Sequence, residues 1–155
     1  MISPEKLRRY PFFGFLTDKE FDKVATVAEQ VEWETGEAIF GIGDDAKWLF
    51  FLEEGYIDLH YSVMDEIDNT LRKDFYIGEI NPGEPFGHSS MLGARIYTAT
   101  AVATKPSTGM RIEAKKLLAL VEEDSALGAK MMQQVARAIF ERLDHVRVQW
   151  AAASN

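Results

Sequence analysis

Apolar residues recur every three or four positions at both ends of the chain and every second position in between. Ser3-Pro4 is an N-cap with proline at the first helical position, which predicts a short helix through Arg9. Pro11-Phe12-Phe13-Gly14-Phe15 breaks that helix with an apolar elbow. Thr17-Asp18-Lys19-Glu20 reads as a capping box. Phe21, Val24, Ala25 and Ala28 follow at helical spacing, so an amphipathic helix is predicted over 18–29. After Gln30 the period changes to two. Val31, Trp33 and Thr35 alternate with Glu32 and Glu34, and short apolar runs follow at 38–40, 48–52, 56–64 and 71–80, then near 97–103 and 109–113. On the fourth segment Ile57, Leu59, Tyr61 and Val63 are expected on one face. Gly, Asp and Pro turns separate the runs, which predicts a β-sandwich or barrel.

From Ala114 the helical period returns. One short helix is predicted over 114–122, and a second, capped by Asp124-Ser125, to about Trp150. On the second, Met132, Ala136, Ile139, Leu143, Val146 and Trp150 form a seam of alternating four- and three-residue steps, widened early by Leu127, Met131 and Val135. Such a seam favours pairing with a second helix, so a homodimer is expected. The alternative is that the whole face packs within one chain. The reading is one domain over 1–155: N-terminal helices over 1–30, a β body over 31–113 and C-terminal helices over 114–150.

Composition narrows the function classes. The chain has 155 residues, 46% of them hydrophobic, and a net charge of -8. That charge opposes a nucleic-acid partner. There is no cysteine, which removes disulfides, thiolate-held metals and cysteine nucleophiles. The N-terminus shows no apolar signal region and no run approaches the ~18 residues of a membrane span. A cytoplasmic protein without a membrane partner is expected. Ser89 and Ser90 stand beside His88, but no Gly-x-Ser-x-Gly signature surrounds them, so catalysis is not expected. His60 and His145 form no metal-ligand spacing with His88. The acidic pairs at 44–45, 53–54 and 122–123 read as solvated surface.

Small and polar residues crowd the stretch Ile80 to Ala103, which holds Pro82-Gly83, Phe86-Gly87-His88-Ser89-Ser90, Arg95 and Tyr97-Thr98. Upstream, Gly36-Glu37, Ala38-Ile39-Phe40, Gly43-Asp44, Trp48 to Leu52 and Gly55 follow one another at set intervals. Together these resemble the cyclic nucleotide-binding domain over about residues 7–148. The resemblance implies a β jelly roll flanked by helices, dimerising through the last helix as in catabolite activator-like regulators. It implies a non-enzymatic effector-binding module, with cyclic AMP or cyclic GMP as the effector, that signals through the C-terminal helix. Those regulators continue into a DNA-binding winged helix, and no recognition helix is expected here.

The resemblance also locates a pocket: Phe86, Gly87, His88, Ser89, Ser90, Arg95, Tyr97, Thr98 and Arg142. The family's ribose-binding Glu is replaced by His88 and its phosphate-binding Arg by Tyr97. Arg95 and Arg142 are candidate substitutes, with Glu141 beside the latter, and the amides of 87–90 could bind an anion at a helix start. Two alternatives stay open: a structural or dimerisation module that binds no cyclic nucleotide, and a sensor of another ligand, such as haem held by His88.

Overall fold

The computed structural model describes residues 1–68, 70–93 and 96–154. Eight strands form two four-stranded antiparallel sheets that face each other as a jelly roll. The first sheet has the order β1 (Ala28–Trp33), β8 (Ser107–Glu113), β3 (Trp48–Glu54), β6 (Pro85–Phe86). The second has the order β2 (Ala38–Phe40), β7 (Thr100–Ala103), β4 (Ile57–Met64), β5 (Arg72–Ile80).

The helices cover the outer face of the first sheet. α1 spans Pro4–Leu7, a 3-10 turn spans Pro11–Phe13, and α2 spans Asp18–Ala25. The capping box is present: Glu20 N–H donates to Thr17 Oγ1 at 3.3 Å, and Thr17 N–H donates to Glu20 Oε1 at 2.9 Å. α2 stops four residues before the predicted end. Ala28 belongs to β1, paired with Ile112; its buried methyl serves either period, so spacing alone misplaced it.

β3 divides the protein into two cores because its side chains alternate across the sheet. Leu49 and Phe51 point to the helices, where the Phe51 ring lies 4.9 Å from Phe13, 5.1 Å from Phe12 and 5.7 Å from Tyr10. Phe50 and Leu52 point into the jelly roll. There Phe50 meets Phe86 at 5.3 Å, Phe40 at 5.7 Å and Trp33 at 6.0 Å. Aromatic pairs at these separations contribute beyond their buried area.

The expected single face on β4 holds for Ile57 and Leu59 alone. The register shifts between Leu59–Gly78 and His60–Tyr76, which leaves Ile77 of β5 without a partner, and beyond that point Tyr61 is exposed. The outer half of the β4–β5 hairpin stands clear of both cores.

α3 (Ala114–Glu123) and α4 (Ser125–Ala153) close the chain. Between them Asp124 caps α4, accepting from Leu127 N–H at 3.1 Å. Leu127, Met131 and Val135 are buried against the helical core. Among the described residues there is no separate DNA-binding domain, and no helix is long and apolar enough to cross a membrane.

Candidate functional site

A cavity of about 310 Å³ lies between the jelly roll and α4. Seven of the nine expected residues line it: Phe86, Gly87, His88, Ser89, Tyr97, Thr98 and Arg142. Ser90 does not. Its hydroxyl donates to the Gly87 carbonyl at 2.8 Å, and it is buried in the turn. Arg95 lies outside the described residues.

The cavity-lining segment that starts at Gly87, the cassette, begins where β6 ends. Gly87 takes φ 79°, and a β-carbon there would approach the Trp48 carbonyl oxygen at 3.1 Å, Tyr97 Cε1 at 3.2 Å and the Phe50 ring at 3.3 Å. Glycine therefore meets both a positive φ and a close approach. The chain then turns through a 3-10 segment, His88–Met91. Ser90 N–H is spent on the Gly87 carbonyl and Leu92 N–H on the Ser89 carbonyl, both at 3.2 Å. Both amides serve the turn itself, so of the four amides expected to bind an anion, 87–90, that of Ser90 is already committed.

Tyr97 stands where the resemblance puts a phosphate-binding Arg, and it is built into the wall. Its ring stacks on Phe40 with centroids 3.9 Å apart. Its hydroxyl donates to the Trp48 carbonyl at 2.7 Å and accepts from Trp48 N–H at 3.0 Å. It thus closes the end of β3 from a loop 49 residues away. Burial pushes its phenol above the ordinary value, so it stays protonated and keeps donating to the Trp48 carbonyl.

His88 forms wall on both sides, in the inner cavity and in a cleft of about 120 Å³ at the rim. Burial, then the Arg142 guanidinium, pull the imidazole down to about 4, against the Glu84 carboxylate. The ring is neutral at pH 7, with one donor and one acceptor nitrogen. Nε2 is buried and has no hydrogen-bond partner among the described residues.

Arg142 reaches from α4 to the turn ahead of the cassette. Nη1 donates to the Glu79 carbonyl at 3.0 Å, and Nη2 donates to Glu84 Oε2 at 3.3 Å. The same Glu84 carboxylate closes that turn by accepting from Asn81 N–H at 3.0 Å. Glu79, Glu84 and Glu141 surround Arg142 and His145 at the rim cleft.

Sequence reasoning missed the rest of the lining: Phe40, Leu59, Ile77, Ile80, Leu92 and Ala99 from the roll and its loop, Ile139 and Val146 from α4. The strand pattern placed Phe40, Leu59, Ile77 and Ile80 in strand segments and assigned a face to Leu59 alone. Ile139 and Val146 were assigned to the dimer seam, which shares an edge with the cavity-facing side of α4. The seam itself divides: Met132, Ala136, Leu143 and Trp150 are exposed, whereas Ile139 packs partly on the core.

Comparison with known proteins agrees with this architecture. The profile of the cyclic nucleotide-binding domain matches residues 30–124. A Geobacter metallireducens protein classed as a cyclic nucleotide-binding protein is 36% identical, with a TM-score of 0.79, over 92% of this chain and 99% of that one. Thermus thermophilus catabolite activator protein superposes at a TM-score of 0.69 and 22% identity, over 93% of this chain and 63% of that one. The regulatory subunit of a cAMP-independent protein kinase A from Trypanosoma cruzi, solved with guanosine bound, gives 0.61 and 23% over 71% of this chain and 37% of that one. The chain belongs to the cyclic nucleotide-binding domain family and is one of its regulatory, effector-type modules.

Proposed function

We propose that this protein is a non-enzymatic sensor whose inner cavity binds a small effector and passes its occupancy to α4. One observation carries the reading. The cavity is walled on one side by the jelly roll and on the other by Ile139, Arg142 and Val146 of α4. A ligand there touches two bodies at once. It therefore has different affinities for different placements of α4, which is what a population shift requires. The volume falls at the lower end of small-molecule sites. The family suggests cyclic AMP or cyclic GMP, and the guanosine-bound relative adds nucleosides to the candidates.

The output of α4 is read as homodimerisation. Leu143 and Trp150 are 45% and 75% exposed, and Met132, Ala136 and Phe140 lie along the same side. Large apolar side chains grouped this way favour a partner helix.

Titration calorimetry with cyclic AMP, cyclic GMP, adenosine and guanosine, followed by hydrogen exchange with the bound ligand, tests the reading. Micromolar binding that slows exchange over 136–150 is expected. Binding that leaves α4 exchange unchanged overturns the coupling. No heat from any of the four at millimolar concentration removes effector binding and favours a purely structural module.

A further inference from the structure

We propose that the inner cavity selects an uncharged, nucleoside-sized aromatic molecule over a phosphodiester, an inference that rests on the effector-binding reading above. Two of the polar side chains of the cassette are committed before any ligand arrives. The Tyr97 hydroxyl is held at both its donor and acceptor sides by Trp48. The Ser90 hydroxyl and amide are held by Gly87. Arg142 is the one charged side chain among the described residues lining the inner cavity. It is drawn outward to the Glu79 carbonyl and the Glu84 carboxylate. A phosphodiester that recruited Arg142 would strip Glu84 of its cation, at a rim already holding Glu79 and Glu141. An ionised group inside an apolar cavity needs a counter-charge that is free to pair.

What remains suits a neutral guest. Phe40, Phe86 and Tyr97 supply aromatic wall, and Leu59, Ile80 and Val146 supply aliphatic wall. Ser89 and Thr98 also line the cavity, and their hydroxyls can pair with polar edges of a ligand. His88 also lines the cavity, with a neutral ring. A neutral imidazole reads hydroxyls and amides as either donor or acceptor, according to tautomer. Where the family's carboxylate accepts only, this position can do both, and it repels no ligand by charge.

Adenosine and guanosine, each titrated against its own cyclic monophosphate into the full chain, differ mainly by the charged ring phosphate. At least one nucleoside is expected to bind about tenfold or more tighter than its cyclic phosphate. His88→Leu should weaken that nucleoside roughly threefold to tenfold, the loss of one neutral hydrogen bond. His88→Gln keeps a hydrogen-bonding end and should recover most of the loss, which separates recognition from a folding defect. Equal or tighter binding of the cyclic phosphate, abolished by Arg142→Ala or Arg95→Ala, overturns this inference and leaves the effector-binding reading intact. Binding by neither class at millimolar concentration overturns both.

Discussion

Replacing Tyr97 by Phe decides whether this residue reads a ligand or holds the wall. The substitution keeps the ring, so the stack on Phe40 at 3.9 Å survives. It removes one hydroxyl that donates at 2.7 Å and accepts at 3.0 Å. Two neutral hydrogen bonds contribute about 0.5–1.5 kcal/mol each. Trp48 N–H then loses its acceptor in a part-buried place, at about 1–3 kcal/mol for an unsatisfied group. These overlap, since the cost of the orphaned N–H already includes one lost bond. The expected destabilisation is about 2–3 kcal/mol. For a chain of this length that lowers Tm by roughly 4–12 °C, within the reserve of an ordinary domain. Thermal melts and urea midpoints of the two proteins measure it, with calorimetry on any ligand found. A wall residue loses stability and keeps affinity within a few-fold. A Tm change below about 1 °C with a tenfold weaker Kd would refute the reasoning.

Four further outcomes follow from the same contacts. His88 is neutral in the folded protein down to about pH 4, whereas the unfolded chain takes up its proton near 6.5. The unfolded state therefore binds more protons between those values. Stability is complete above pH 6.5 and is lost as pH falls, at about 1.4 kcal/mol per pH step. Urea midpoints should show about 2 kcal/mol lost from pH 6.5 to 5, less in His88→Gln; equal slopes would reassign the loss to other groups. Gly55 has φ 115°, and a β-carbon there would lie 2.1 Å from Ser107 Oγ and 2.6 Å from its Cα, so Gly55→Ala should cost about 3 kcal/mol or more by chemical denaturation. Glu84→Gln removes the charge that holds Arg142, and amide exchange over 139–146 should quicken several-fold. Leu143→Glu should shift the light-scattering mass to that of a monomer, and an unchanged dimer mass would rule α4 out as the contact.

Much of the architecture was legible because single local signals carried it. The Thr17–Glu20 box, the Asp124 cap and the alternation in β3 each follow from neighbours in sequence. Glycine at 55 and 83 marked turns, and the structure gives both a positive φ. What was not legible depends on distant partners. Nothing near Tyr97 shows that its hydroxyl ends on Trp48, and nothing near Arg142 shows that Glu84, 58 residues earlier, holds it. Family position placed both residues beside one cavity, yet it assigned them to ligand chemistry. Their first commitments are to the protein itself. The β5 bulge at Ile77 was missed for a related reason, since one unpaired residue shifts the register without changing composition.

α4 is 29 residues long, roughly 43 Å at helical rise. Val135 is its last fully packed side chain among the described residues. The stretch from there to Ala153 is a lever arm of roughly 27 Å. A tilt of about 10° pivoting at Val135 moves the Arg142 backbone by only ~2 Å, yet carries the tip by ~5 Å. A rigid α4 would thus act as a gear: a shift at the cavity just large enough to break the Arg142 hydrogen bonds would become about a full helical turn's travel at the far end.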